Sequence, residues 1–355
     1  AIHDRGAVQA ACHAARGGGN AACCAAGMRY PEVSVVIPTC GRAFLLDRCL
    51  DALCRQSCPP HAFEVIVVDD RPCGETQALV ARHAARAAAR GLKLAYLPNH
   101  GAHGPAAARN LGWRRAHAPL VAFTDDDTVP HADWLREGCA AFAAAPLLDA
   151  AWGRVMMPVP DEPTDYERDA KRLETAGFVT ANCFVRRAVL AQVGGFDERF
   201  RLAWREDTDL YFSLREAGAQ IRHLPQAVVE HPVRPAGWGV SLSQQKKILF
   251  AALLYKKHGR HYREQVRRGP RWDYYLFTLA LLATVAAAAA GMSVAAAVAG
   301  AVWLLLFAHF TASRLRGTRR TPGRVAEMLL TSALIPPLAV FWRAVGALRF
   351  RVLFL

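Results

Sequence analysis

The sequence predicts an α/β fold, a mainly parallel sheet with helices on both faces, followed by C-terminal transmembrane helices. Three observations carry that reading. Short apolar runs alternate with helix-period segments from Val33 to about residue 230, the order that builds parallel sheets. Three of those runs stop in small polar or acidic residues, at Pro38-Thr39, Asp69-Asp70 and Asp125-Asp126-Asp127. Residues 274–312, 39 in a row, contain no Lys, Arg, Asp or Glu, nearly twice the roughly 20 residues that one helix needs to cross a bilayer.

The elements follow in order. Residues 33–37 form a buried strand that Pro38 stops, with a helix near 43–56 behind it. Strand 63–68, helix 75–90 and strand 92–97 come next, then a Gly-rich turn at 99–105, a helix over 106–116 and strand 120–123. A helix near 134–144, a strand around 151–157, an acidic loop at 161–165, the stretch 180–187, a Gly194-Gly195 turn and a helix over 206–217 continue the pattern. Residues 221–224 and 227–229 read as two short strands before Glu230-His231-Pro232. Segment 242–255 fits either a core-packing helix or an interfacial one. In a doubly wound sheet ligands bind beyond the C-terminal strand ends, so the three polar stops define one candidate rim.

With 355 residues, 53% hydrophobic and 21% charged, the chain is neither a disordered tail nor a small disulfide knot. Lys and Arg number 44 against 30 acids, a net charge of +14, and from Lys256 onward fifteen basic residues face three acids. That excess flanks apolar runs, which suits anionic lipid and cytosolic loops; no nucleic-acid partner is expected. The ten cysteines show no paired CxxC spacing and read as reduced thiols. No GxxxxGK[ST] occurs, and no GxGxxG follows a strand, so P-loop and simple dinucleotide chemistries recede.

Residues 1–30 are expected to be a disordered or non-native leader, with Met28 as the natural start. Residues 241–272 read as a basic juxtamembrane segment and 273–355 as a membrane region. Within it, helices at about 274–290 and 293–312 form a hairpin turning near Gly291. Basic flanks on both sides of this hairpin put both ends, and the residues before them, in the cytosol, which implies a multi-pass protein of the inner membrane. A third segment, 325–348, contains Pro336-Pro337 and Arg343 and fits a kinked span, a re-entrant stretch or an interfacial helix.

Four features can carry chemistry. Asp125-Asp126-Asp127 offers hard oxygens to a divalent cation, Mg2+ or Mn2+. Asp70 can accept from the imino N–H of a nucleobase. The acids of Trp204-Arg205-Glu206-Asp207-Thr208-Asp209 sit at a helix start, where an ionised Asp can act as general base. His231 can add an imidazole ligand. Taken singly, each also fits a plainer role: a solvated loop, a turn, a helix cap, a structural histidine.

Taken in order, "VSVVIPTCGR", "VIVVDD", "GPAAARNLGW", "FTDDDT", "TANCFVRRAVLAQVGGFDERF" and "WREDTDLYFSLREAGAQI" resemble the family 2 glycosyltransferases over residues 33–232. The resemblance implies a GT-A-like, Rossmann-type catalytic domain over residues 31–240, a nucleotide-sugar donor, a divalent cation and inversion at the anomeric carbon. It places Pro38, Thr39 and Asp70 in the nucleoside pocket. Asp125 and Asp127 become the outer aspartates of an Asp-X-Asp element, ligating the metal with His231 and contacting the donor through Asp125. Asp207 becomes the general base, with Glu206 as the alternative, while Arg109 and Asn182 help hold donor or acceptor. Cys40-Gly41 stands where an aromatic-Asn pair is common, and the Gln-X-X-Arg-Trp element of processive synthases is missing. Single-sugar transfer to a lipid-linked or cell-envelope glycan acceptor is therefore the favoured activity. A processive polysaccharide synthase and an inactive scaffold of a glycan-assembly complex are its rivals.

Overall fold

The computed structural model describes residues 31–354. The expected leader over residues 1–30 and its start at Met28 lie outside the described residues.

Strand β1 (Val33–Thr39) is buried at every position because both of its faces are covered. Val33, Val35 and Ile37 point to a layer made by helices α1 (Ala43–Cys54), α2 (Gly74–Ala88) and α4 (Trp134–Ala144). Val36 points the other way, against α3 (Pro105–Arg115), α6 (Arg187–Val193) and α7 (Glu206–Glu216). Strand β2 (Phe63–Asp69) splits likewise, Val65 and Val67 to one layer, Ile66 and Val68 to the other. This period of two between covered faces turns the near-continuous apolar runs into strands.

The eight strands run in the order β3-β2-β1-β4-β7-β6-β8-β5, with β3 at Lys93–Pro98 and β4 at Leu120–Thr124. Strands β3, β2, β1 and β4 are parallel, and so are β6 (Ala150–Met156) and β8 (Ile221–Glu230). Strand β7 (Asn182–Arg186) runs antiparallel to both β4 and β6, and the two-residue β5 (Val129–Pro130) runs antiparallel to β8. The sheet is therefore mixed, with its parallel half where the motifs lie. Beyond β6 the chain has only the six-residue α5 (Asp165–Ala170) and a 3-10 turn before β7, no crossover helix of the length a parallel return requires. The two strands expected near residue 225 are one strand, β8, whose register with β6 shifts at Gly153/Arg154 and so absorbs Pro225.

Strand order reverses between β1 and β4, which opens a crevice at their C-terminal ends. Thr39 and Asp125–Asp127 stand across it, and Asn182 starts β7 opposite Thr124. At the adjoining end of β2, Asp70 accepts from Asn99 Nδ2 (2.8 Å) and from the Gly104 backbone (3.0 Å), folding the Gly-rich turn over the rim. Gly104 has φ +121°, and a Cβ there would lie 2.8 Å from the Arg201 carbonyl oxygen, so glycine is required.

The segment expected to be either core or interface is core. Helix α8 (Val240–Gln244), a 3-10 turn and α9 (Leu249–Lys257) bury Leu249 through Leu254, packed with Phe200 and Phe212. Each large apolar side chain so covered contributes roughly 1.5–3 kcal/mol.

Among the described residues three helices are long and apolar enough to cross a membrane: α10 (Trp272–Ala289), α11 (Ser293–Leu315) and α12 (Pro322–Phe350). The first two form the expected hairpin, turning at Gly291 (φ +71°), with apolar side chains such as Leu279, Val294 and Leu305 exposed. Helix α12 runs unbroken through Pro336-Pro337 and packs along α9, where a Cβ on Gly346 would stand 2.6 Å from the Leu249 carbonyl oxygen. Near one end its Glu327 accepts from the Gly239 backbone (2.7 Å); at the other, the Phe350 carbonyl accepts from Lys256 Nζ (2.8 Å).

Candidate active site

The site begins with a tight turn after β4. Thr124 and Thr128 share a hydroxyl hydrogen bond (2.7 Å), and Thr128 Oγ1 also reaches the Asp125 carbonyl (2.7 Å). This clasp holds three consecutive aspartates in fixed and different directions. Asp126 turns inward: Thr39 Oγ1 donates to its Oδ2 at 2.7 Å, and Arg42 lies against both oxygens at 2.8 and 3.0 Å. Burial, with Asp127 and Asp125 adding repulsion, pushes the Asp126 carboxyl up to about 6 against the pull of Arg42. Asp126 is the structural middle residue, fastening β4 to β1.

Asp125 and Asp127 face the crevice together with His231, which follows β8. One ligand atom from each of the three lies within 4.8 Å of the others. His231 Nε2 is 3.6 Å from Asp127 Oδ1, and its buried Nδ1 has no hydrogen-bond partner. Asp127 Oδ2 also lacks a well-aligned hydrogen bond, although Arg234 Nε approaches it to 2.8 Å. Two carboxylates and an imidazole, with partnerless buried ligand atoms, fit a hard divalent cation that keeps other positions open for phosphate oxygens.

A second pair of acids enters from the start of α7. Arg205 caps that helix with φ +76°, a left-handed conformation that is costly for arginine, and its guanidinium stacks over the exposed Trp204 ring at 4.9 Å. The turn delivers Glu206 and Asp207 to the crevice, beside the positive end of the α7 dipole. Glu206 is 4% exposed, and burial together with the neighbouring Asp207 pushes its carboxyl up to about 7, against the pull of Arg109. Asp207 is only half-buried. Its Oδ1 accepts from the Thr208 backbone (2.6 Å) and hydroxyl (3.1 Å); burial still holds its carboxyl above the ordinary range.

Arg109 joins the two acidic groups. Its side chain, 3% exposed, donates to Asp125 Oδ1 at 2.6 Å and to Glu206 Oε1 at 3.1 Å. Burial alone would raise the Asp125 carboxyl, but the guanidinium, helped by His231 and Arg42, overcomes it and keeps the group ionised. Arg109 thus positions two carboxylates instead of projecting toward a ligand.

Asn182, expected to help hold donor or acceptor, has its amide bonded within the sheet. It is fully buried, with Nδ2 donating to the Arg154 and Ala227 carbonyls and Oδ1 accepting from Trp134 Nε1, so its amide stitches β6, β7 and β8 together. Asp70 is likewise engaged by the turn it folds, with His103 Nδ1 against its carbonyl (2.7 Å), and Pro38 is a buried β1 residue paired with Val68. The sequence reading missed Arg42, Arg234 and Lys247. The half-buried Lys247, in the 3-10 turn after α8, has its ammonium pushed down by burial and by Arg234, against the pull of Glu206. Arg42 lies three residues past Thr39 and Arg234 three residues past His231, so proximity to named motifs was the available signal for these two.

Comparisons with known proteins converge on one family. Residues 34–194 match glycosyl transferase family 2, and residues 120–342, more than half of the chain, match glycosyl transferase family group 2. The glycosyltransferase AglE of Haloferax volcanii is 29% identical over 223 residues, spanning 58% of this chain and 69% of its own. The validoxylamine A glucosyltransferase of Streptomyces hygroscopicus subsp. limoneus is 28% identical, over 61% of this chain and 52% of its own length. The pre-mycofactocin glycosyltransferase of Mycobacterium tuberculosis is 32% identical over 59% of this chain and 44% of its own length. The chain therefore spans about half the length of these last two relatives. Among solved structures, the mannosyltransferase PcManGT from Pyrobaculum calidifontis, in complex with GDP-Man and Mn2+, shares the fold over 89% of this chain and 88% of its own. That match has a TM-score of 0.55 and 22% identity. With family matches that run from β1 to α12 and a GT-A fold, the chain belongs to glycosyltransferase family 2.

Proposed function

We propose that this chain is a membrane-anchored, metal-dependent, inverting glycosyltransferase. It moves one sugar from a nucleotide-sugar donor to a lipid-linked or envelope glycan acceptor at the cytosolic face of the inner membrane. The observation that carries the reading is the crevice holding Asp125, Asp127 and His231 on one side and the adjacent acids Glu206 and Asp207 on the other, with Arg109 joining Asp125 to Glu206.

Asp125, Asp127 and His231 would hold Mg2+ or Mn2+, whose charge offsets that of the donor diphosphate. Asp207, the more open acid of its pair, takes the proton of the acceptor hydroxyl as that oxygen bonds to the anomeric carbon and the sugar–phosphate bond breaks. Because attack comes from the face opposite the leaving diphosphate, the anomeric configuration inverts and no covalent enzyme intermediate forms. Glu206 is buried against Arg109 and keeps that guanidinium in place, so it ranks behind Asp207 as the base. The exposed Trp204, just ahead of the acids, offers an apolar face to a sugar ring.

The membrane region supports the acceptor class, since anchoring confines enzyme and lipid-borne substrate to one surface. The two ends of α12 are bonded to Gly239 and Lys256, on either side of the buried α9 segment, and a helix held that way lies along the interface instead of carrying its ends to opposite sides. Two spans, α10 and α11, then keep both flanks cytosolic.

The test is transfer from a labelled nucleotide sugar to extracted membrane lipids by purified protein. A lipid-extractable product of inverted configuration is expected. Asp207→Asn should cut the rate by roughly 10²–10⁴-fold while nucleotide binding persists. Transfer only to soluble sugars, or normal transfer by the variant, would contradict the acceptor class and the assigned base respectively.

A further inference from the structure

A cavity of about 300 Å³ adjoins the metal-ligand cluster and has no part in the chemistry above. Its walls are the start of α5, the strap of residues 233–241 that follows His231, the end of α11 and the first turns of α12. Its size falls at the lower end of the range for small-ligand sites, roughly 300–1,000 Å³.

Four arginines line it, and they fall into two groups. Arg314 is built into the wall: 6% exposed, it bonds Asp165 (2.7 Å), Thr331 Oγ1 (2.7 Å) and Ser332 Oγ (3.0 Å). Arg324 bonds Glu327 through one nitrogen (2.7 Å) and has further guanidinium donors to offer. Arg319 is exposed, and its side chain forms no ion pair or hydrogen bond among the described residues. Arg234 reaches from the same cavity to Asp127. Of the lining acids, Asp165 and Glu327 are paired, and Glu167 caps α5 by accepting from the Thr164 backbone (2.6 Å). Four arginines against three acids leave the lining with a small positive excess.

Part of the lining is apolar: Val233, Val240 and Met328 face the cavity, and Leu329 and Leu330, which follow Met328 on α12 without lining it, are exposed. A ligand satisfying both parts carries an anionic head and a long hydrocarbon chain. We propose that this cavity holds the phosphate of a lipid-borne acceptor. Arg319 and Arg324 contact the anion, and Arg234 stands between it and the metal-ligand cluster. The inference rests on the lipid-acceptor reading and narrows it from any lipid-linked glycan to one whose lipid bears phosphate at this position.

The experiment uses the purified full chain in detergent and three probes: a long-chain alkyl phosphate in mixed micelles, the corresponding alcohol, and inorganic phosphate. The alkyl phosphate should bind at least tenfold more tightly than either of the others. Arg319→Glu should weaken it by tenfold or more, about 1.4 kcal/mol, and Arg319→Lys should retain most of the affinity. Arg319 is exposed and makes no side-chain bond to lose, so these variants keep the fold. Equal binding of the alcohol, or unchanged binding by Arg319→Glu, would overturn the proposal. Inorganic phosphate binding as tightly as the alkyl phosphate would assign the cavity to a free anion and overturn the lipid source. Nucleotide binding with Mn2+ on the same preparations separates the two readings. Its loss with alkyl phosphate binding intact would remove the donor site alone, and the reverse would remove this cavity alone.

Discussion

Arg109 shows why a site of this kind needs a buried cation as much as its acids. Two carboxylates from distant segments converge on it, the half-buried Asp125 and the buried Glu206, and without the guanidinium Glu206 would be buried unpaired. Arg109→Met should therefore destabilise the protein by about 3–5 kcal/mol, the usual cost of removing one partner of a buried ion pair. Chemical denaturation of detergent-solubilised protein measures this, and a loss under about 1 kcal/mol would contradict the bridging role. Glu206 makes a pH prediction. Its carboxyl is held at about 7, above the 4.5 of a free side chain, so between those values the folded chain binds more protons than the unfolded one. Its contribution to stability is complete below pH 4.5 and disappears as pH rises through 7. Thermal midpoints should fall across that window in the parent chain and fall less in Glu206→Gln; identical profiles would refute the shift. The acids were legible in the sequence because carboxylates after an apolar strand or at a helix start stand out locally. The partnerships of Arg109 were not, since its contacts lie 16 and 97 positions away. Asn182, placed near donor or acceptor by the family resemblance, bonds its amide to partners on β6, β8 and α4, and those partnerships are not visible in the sequence either.

At the scale of elements, the parallel half of the sheet and its helices were readable to within a few residues, because strand and helix periods alternate cleanly from Val33 to Thr124. The direction of β7 was not readable, since it depends on how residues 157–181 return to the sheet, and no periodicity encodes that return. Helix α12 is a parallel case. Its composition fits a span, yet the bonds at Glu327 and Phe350 tie its ends to Gly239 and Lys256. A C-terminal tag should accordingly be reached by a membrane-impermeant reagent only from the side that holds the catalytic domain. A tag inserted at Gly291 should be reached only from the other side. A C-terminal tag found on the same side as Gly291 would show that α12 crosses the bilayer.

Across the whole molecule, one stretch does two jobs. Residues 231–257 give the crevice His231, Arg234 and Lys247, and they also seat α12: Gly239 bonds Glu327, and Lys246 lies over the Trp342 ring at 5.9 Å. The crevice and α12 therefore share a wall. The uncharged run made the long apolar helices legible from composition alone. The shared wall was not, because the apolar pattern of 242–255 is the same whether lipid or protein covers it. The central claim is that this rim binds a nucleotide sugar through a cation on Asp125, Asp127 and His231. Its most direct test is donor binding by purified protein across UDP-, GDP-, dTDP- and CMP-sugars, with Mn2+, Mg2+ or EDTA, for the parent chain and Asp127→Ala. Selection of one donor, abolished by EDTA and by Asp127→Ala, is the predicted result; binding indifferent to both, or no binding by folded protein, would contradict the account.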